Sequence, residues 1–138
     1  MISQKSRYAL RALIYLAREG DASITTIAER ENIPRKYLEA IMAELKLHGF
    51  VASRRGKGGG YTLAKPANTI SFADVLRATD GPLALAPCAS RTAYRRCEDC
   101  VDVETCSIRH ALIAARDATA AVLESTFLSN PESPDNRT

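Results

Sequence analysis

Apolar residues recur at intervals of three and four in the first third of the chain, and this spacing predicts helices. Gly20 and Gly49 stop the first and third of these segments. Ser23 caps the second segment, and Pro34 suits the first turn of the third. The apolar stripe of the third segment is Leu38, Ile41, Met42 and Leu45. The three predicted helices span Ser3–Glu19, Ile24–Glu31 and Arg35–His48.

The pattern then changes from helical to extended. Residues 50–52 begin one strand and residues 61–63 form a second. A glycine-rich basic turn separates them, so the sequence predicts a β-hairpin. A short capped helix is predicted over Phe72–Ala78. Residues 83–106 have no regular pattern, and helical spacing returns between Ser107 and Phe127.

This order of elements is that of a winged helix-turn-helix. We therefore expect a mainly α fold with a small β-hairpin wing and a long C-terminal dimerisation helix. The expected divisions are a DNA-binding domain at 1–82, a cysteine-rich sensor loop at 83–106, a dimerisation helix at 107–128 and a disordered tail at 129–138.

The long C-terminal helix has an apolar seam. Its residues are Ile108, Leu112, Ala115, Thr119 and Val122. Small residues beside the seam allow another helix to approach closely, and these are Ala111, Ala114, Ala118 and Ala121. A helix of this length needs a partner for its stripe, which favours a two-fold homodimer. Packing against the chain's own first helix is the alternative.

Charge is unevenly distributed along the 138 residues, whose formal net charge is only +3. Residues 1–65 carry 12 Lys and Arg against 6 Asp and Glu, whereas residues 66–138 carry 7 against 10. The basic half is typical of a domain that binds a polyanion. Arg7 and Arg11 interrupt the stretch where a secretion signal needs an apolar core, and no apolar run reaches membrane-spanning length, so we expect a cytoplasmic protein. Nothing in the sequence pairs a nucleophile with a base, and we expect no enzyme.

Two segments supply the candidate DNA contacts. The exposed face of the third helix would enter a major groove, and the hairpin tip would reach a phosphate or a minor groove. The helix contributes Arg35, Lys36, Tyr37 and Glu39, and the tip contributes Arg54, Arg55 and Lys57. A solvated basic surface is the plain alternative for the helix. The glycine run lacks the spacing of a nucleotide-binding phosphate loop.

Four cysteines lie within nineteen residues, and in a reducing compartment such a cluster favours metal binding or redox sensing. They are Cys88, Cys97, Cys100 and Cys106, with His110 just beyond. An iron–sulfur cluster is the leading interpretation. Zinc held by the last three cysteines and His110, and a metal-free thiol switch activated by neighbouring arginines, are the alternatives.

The chain resembles the Rrf2-type bacterial transcription regulators, which include IscR, NsrR, RirA and CymR. The segments that carry the resemblance are MISQKSRYALRAL, ITTIAERENIPRKYLEAIMAELKLHGFV and SRRGKGGGYTLAKPANTISFADVLRATDG. The resemblance covers about residues 1–128 and implies a homodimeric winged-helix repressor or activator that binds a palindromic operator. It also implies that Glu39 influences which operators are read and that Arg55 enters the minor groove.

The resemblance further implies an iron–sulfur cluster, of [2Fe–2S] or [4Fe–4S] type, on three loop cysteines. Cys88, Cys100 and Cys106 match those ligands, and Cys97 is extra. A ligand set in which Cys97 replaces Cys88 is the alternative. His110 is one candidate for the fourth ligand, offset by one residue. In other members the fourth ligand is a carboxylate near the N-terminus of the partner chain. In this sequence that position is occupied by Arg7, which cannot bind iron.

The expected function is therefore a DNA-binding regulator that senses iron, cluster status, nitric oxide or redox state. Three alternatives remain: a metal-free thiol-based or metabolite-responsive regulator of the CymR kind, a zinc-binding winged-helix protein, and a protein–protein adaptor that does not read DNA sequence.

Overall fold

The computed structural model describes residues 2–55, 59–98, 101–102 and 104–131. Within these ranges the chain forms five α-helices and one antiparallel hairpin. The helices are α1 (Gln4–Glu19), α2 (Ile24–Glu31), α3 (Arg35–Leu47), α4 (Phe72–Thr79) and α5 (Ser107–Glu124). The strands are β1 (Val51–Arg54) and β2 (Gly60–Leu63), and two short 3₁₀ turns lie at Ala67–Thr69 and Pro87–Ala89. The predicted winged-helix fold is confirmed.

The core lies between the first four helices and the hairpin. Its largest fully buried side chains include Leu13, Ile27, Leu38, Met42 and Val75. The whole predicted stripe of α3 is buried, because residues three and four apart lie on one face of a helix. Burial of apolar area at about 25 cal/mol per Å² is the main force that holds this lobe together.

Local signals fix the helix ends close to their predicted positions. Ser3 and Ser23 cap α1 and α2, each accepting a hydrogen bond from the backbone three residues later. Pro34 is the N-cap of α3 and lies just before its first turn, not inside it as predicted. Gly49 has φ of 82°, which suits glycine and lets the chain leave α3 for the hairpin.

The hairpin differs from its prediction in the length of its tip. Arg54 pairs with Gly60 in the register of β1 and β2, so Arg54 belongs to a strand and not to the turn. Ala22 and Tyr61 exchange two backbone hydrogen bonds, of 3.1 and 2.8 Å, which add a short third segment to the sheet. The wing is thereby fixed to the segment that precedes α2.

The last helix ends earlier than predicted, at Glu124 and not at Phe127. After it the chain becomes extended and pairs with the residues that lead into α4. The amide of Phe72 donates to the carbonyl of Thr126 at 2.8 Å, and the amide of Leu128 donates to the carbonyl of Ile70 at 3.1 Å. Leu128 is 1% exposed in the core. Thr126, Phe127 and Leu128, the last three residues of the predicted dimerisation segment 107–128, therefore pair with the DNA-binding lobe.

The first residues of the predicted tail, 129–131, are part of the described structure. The amide of Asn130 donates to the carbonyl of Phe127 at 3.0 Å, so the first residues after Leu128 form a turn. The rest of the predicted tail, residues 132–138, lies outside the described residues.

A polar latch joins the start of α1 to the end of α4. The backbone and hydroxyl of Ser3 donate to the Asp80 carboxylate at 2.9 and 2.5 Å, and the Ser6 hydroxyl meets that of Thr79 at 2.5 Å. Burial alone would raise the pKa of Asp80, but the hydrogen bonds from Ser3 and Ser6 and the charge of Lys5 outweigh it and hold this pKa below its ordinary value. A depressed carboxyl pKa stabilises the fold at neutral pH, and that stability is lost as the pH falls through the lowered value. The latch fixes the point from which the cysteine loop departs.

Candidate DNA-binding surface and cysteine cavity

The predicted DNA-contact residues of α3 lie on its solvent side. Arg35, Lys36, Tyr37 and Glu39 are all exposed, opposite the buried stripe. Since they occupy the first turns of the helix, they match the part of a recognition helix that reaches base edges.

Two of these side chains pair with each other. Arg35 Nε donates to Glu39 Oε1 at 3.3 Å, one turn along the helix. An exposed pair of this kind contributes little to stability, so exchanging it for a phosphate or a guanine would cost little. Tyr37 instead meets the ring of Tyr8 edge-on, with ring centroids 5.6 Å apart. Tyr37 therefore also ties α3 to α1.

The wing arginines have different surroundings. Arg54 forms an ion pair with Asp21, at 2.8 Å between Nη1 and Oδ2. Arg55 lies at the end of β1 and is exposed. Lys57 lies outside the described residues. Arg54 thus helps to position the wing against the start of α2, while Arg55 is the better placed of the two to contact DNA.

Three of the four cysteines line one cavity of about 420 Å³ beside the start of α5. They are Cys88, Cys97 and Cys106, whereas Cys100 lies outside the described residues. The thiol of Cys97 lies 3.7 Å from that of Cys88, measured between the sulfur atoms. Cys97, for which the family pattern has no counterpart, therefore lies beside the first predicted ligand.

Cys106 caps α5. Its sulfur accepts a hydrogen bond from the backbone amide of Arg109 at 3.4 Å. At this position the first backbone amides of α5 point towards the sulfur atom. The cap also makes the start of α5 depend on the sulfur atom that a metal or an oxidant would engage.

His110 does not line the cavity. It is exposed, and its Nε2 lies 3.0 Å from the carbonyl oxygen of Glu104. In the described part of the chain, no three His, Cys, Asp or Glu side chains are grouped closely enough to hold a metal ion as they stand. The zinc set that includes His110 gains no support from this placement.

Arginines bind the backbone of the cysteine segment, a role that the sequence did not predict; of these, Arg91 and Arg109 were predicted only to activate thiols, and Arg116 was not singled out. Arg109 Nε donates to the carbonyl of Cys88 at 3.0 Å, and Arg116 Nη1 donates to the carbonyl of Ala89 at 2.5 Å. Asp117 accepts from Arg116 and from Arg91, each at 2.7 Å. Hydrogen bonds from Arg116, and then from Arg91, hold the pKa of Asp117 below its ordinary value, although desolvation opposes them. The sequence offers one signal for these contacts: Arg109 and Arg116 are seven residues apart and therefore lie on the same face of one helix.

Comparison with known proteins identifies the family of this chain. A model of the Rrf2 family, described as iron-dependent transcriptional regulators, matches residues 2–130. This chain belongs to the Rrf2 family. An rrf2-like HTH-type transcriptional regulator of Rhodobacter capsulatus is 44% identical over 115 residues, which cover 79% of this chain and 77% of that protein.

Solved structures of regulators share the fold. CymR, the global cysteine regulator of B. subtilis, has a TM-score of 0.76 at 34% identity, covering 94% of both chains. IscR of T. potens has a TM-score of 0.74 at 27% identity, covering 94% of this chain and 84% of that one. The Rrf2 chain described here is therefore a DNA-binding transcriptional regulator and not an enzyme. Among its described residues, no helix is both long and apolar enough to cross a bilayer.

Proposed function

We propose that this Rrf2 protein is a cytoplasmic homodimeric regulator that binds a palindromic operator and senses iron, cluster status, nitric oxide or redox state through its cysteine loop. The observation that carries the proposal is the shared cavity of Cys88, Cys97 and Cys106 at the start of α5. A sensor there adjoins the helix that we assign to dimerisation.

The donor set is compatible with an iron–sulfur cluster. Three thiols face one cavity, and thiolates are the usual ligands of such clusters. The 3.7 Å between the sulfurs of Cys88 and Cys97 is the separation of two cysteine sulfurs on one tetrahedral metal ion at about 2.3 Å, which suits a [2Fe–2S] cluster or a zinc ion. Cys88, Cys106 and either Cys97 or Cys100 would hold the group. It would supply a redox-sensitive centre whose loss changes the charge within the cavity.

The two ends of α5 provide a path from the cavity to the DNA-binding lobe. At its start, Cys106 caps the helix and Arg109 holds the carbonyl of Cys88. Beyond its end, Leu128 is buried in the core of the lobe. A rearrangement at the cysteines therefore shifts a helix whose far end is fixed to the lobe that carries α3. This is the element through which the sensor would bias operator affinity.

The exposed seam of α5 supports a homodimer. Ile108 is 70% exposed and Val122 is 45% exposed, so both ends of the apolar stripe are open to solvent, while Leu112 and Ala115 between them are half-buried. Ala120 is buried, and Arg77 forms an ion pair with Glu124, so the other face packs against α4. The alternative of packing on α1 gains no support from these contacts. Two copies joined along the seam would present their α3 helices to two half-sites.

The test of the sensor is the colour and the iron and sulfide content of the full-length chain, purified without oxygen. We expect a brown protein, and colourless Cys88→Ala and Cys106→Ala variants. Of Cys97→Ala and Cys100→Ala, the one that also loses iron identifies the third ligand. Ser107→Ala is the matched control on the same cavity wall and keeps its iron. A colourless, iron-free protein whose DNA binding ignores all four cysteine substitutions would contradict the proposal.

A metal-free regulator of the CymR kind is the second candidate. The similarity to CymR structures favours it, including the oxidised form of Staphylococcus aureus CymR at 32% identity and a TM-score of 0.72. A second cavity, of about 270 Å³ and mainly apolar, lies between α5 and the segment 80–85 and suits a small effector. An iron-free protein whose operator affinity responds to peroxide or to a metabolite would select this candidate.

A further inference from the structure

The thiols of Cys88 and Cys97 lie in contact although nine positions separate them in the sequence. Their sulfurs are 3.7 Å apart, against about 2.05 Å in a disulfide. Arg109 fixes the backbone of Cys88 through its carbonyl oxygen, and Cys88 itself is buried. Cys97 lies in an irregular segment and is half-buried. The two sulfurs need to approach each other by less than 2 Å to reach bonding distance.

We propose that Cys88 and Cys97 form an intrachain disulfide when a peroxide oxidises the iron-free chain, in which neither sulfur binds a metal. The cavity that contains both sulfurs is large enough for a small hydroperoxide. Because Cys97 is the more exposed of the two, its thiolate is oxidised first. It attacks the peroxide, the S–O bond forms and the O–O bond breaks, which leaves a sulfenic acid on Cys97 and a hydroxide or alkoxide. This anion takes up the proton that the Cys97 thiol released and becomes water or an alcohol.

Cys88 then resolves the sulfenic acid. Its thiolate attacks the sulfur of Cys97, the S–S bond forms, and the S–O bond breaks to release hydroxide, which takes up a proton. Overall, two thiols lose two electrons and two protons, and one hydroperoxide is reduced to two waters or to water and an alcohol. Cys106 takes no part in this reaction, since its sulfur is held at the cap of α5.

The disulfide would fix segment 91–97 to the part of the loop that α5 already holds. The chemistry depends only on the two sulfurs, but its effect on DNA binding rests on the regulator function proposed above. A disulfide that forms without changing operator affinity would refute the regulatory part alone.

Peptide mapping tests the pairing on the full-length chain. The chain is first freed of iron with a chelator under reducing conditions and then treated with limiting hydrogen peroxide. Remaining thiols are alkylated, and trypsin is combined with a glutamate-specific protease. This digestion places each cysteine on its own peptide: 78–91, 97–98, 99–104 and 105–109. We expect peptide 78–91 linked to peptide 97–98 as the main product in wild type and in Cys106→Ser. We expect that link to be lost in Cys97→Ser, and a sulfenic acid to persist on Cys97 in Cys88→Ser.

The same treatment in urea is the control for the folded geometry. There we expect mixed pairings that reflect distance along the chain. Two results on the folded chain would overturn the proposal. One is a main product that links any pair other than Cys88 and Cys97, such as Cys97 with Cys100. The other is a product with oxidised thiols but no link.

Discussion

Replacing Arg35 and Arg55 together with alanine should weaken binding to a DNA duplex selected from a randomised library by about 100-fold or more. Each bidentate arginine contact to a base or narrow groove contributes about 1–3 kcal/mol. Arg35 lies at the start of α3 and Arg55 directly follows β1, so the two side chains belong to different parts of the lobe and their effects should add. Each single substitution should cost about tenfold or more. Fluorescence anisotropy over a range of salt concentrations measures both affinity and the number of phosphate contacts.

Arg18→Ala is the matched control for charge. Arg18 is exposed in the last turn of α1 and lies beside Ser129 and Asn130, away from the predicted contacts. The Arg18→Ala substitution removes one positive charge, as each of the other two substitutions does. It should leave the affinity for DNA within about twofold of the wild type, because distant exposed charges are screened by salt. If Arg35→Ala and Arg55→Ala bind as tightly as Arg18→Ala, the assigned contacts are wrong.

Gly60→Ala should be the most damaging single-methyl substitution in the wing. A Cβ on Gly60 would lie 2.3 Å from the carbonyl oxygen of Ala22 and 2.8 Å from the Cα of Ser23, both backbone atoms. The strand would have to separate from the segment before α2 and lose its bonds to Ala22. We expect a loss of about 1–3 kcal/mol in the free energy of unfolding, measured by denaturant titration, together with weaker DNA binding.

Gly49→Ala separates this clash from ordinary backbone strain. Gly49 has φ of 82° but open space around its Cβ position, so alanine there meets only the conformational penalty of about 1 kcal/mol. It should not change DNA affinity in the folded protein. Equal affinity in the wild type and Gly60→Ala would show that close packing of the wing on Ala22 is not needed for binding.

Local patterns were enough to predict most of the DNA-binding lobe. The stripe from Leu38 to Leu45 predicted α3 and its buried face, because helical periodicity is a property of neighbouring residues. The glycine-rich tip predicted the hairpin for the same reason. The assignment of Arg54 to that tip was wrong, since its pairing with Gly60 depends on the register of two strands.

The contacts that link the cysteine loop to the lobe could not be predicted in this way. Backbone pairing of Thr126 and Leu128 with the entry to α4 joins segments more than fifty residues apart. The arginines of α5 bind backbone carbonyls, which every residue possesses, so no motif identifies their partners. The position of Cys97 beside Cys88 likewise depends on how an irregular loop folds back.

The central claim is that the cysteine cavity controls DNA binding, and one comparison of dissociation constants tests it most directly. The full-length chain is purified without oxygen, and its affinity for the selected duplex is measured before and after hydrogen peroxide, then again in Cys88→Ala. We predict that peroxide changes the dissociation constant of the wild type by about tenfold, a coupling of about 1.4 kcal/mol, and leaves that of Cys88→Ala unchanged. An unchanged dissociation constant in the wild type, or an equal change in Cys88→Ala, would contradict the claim.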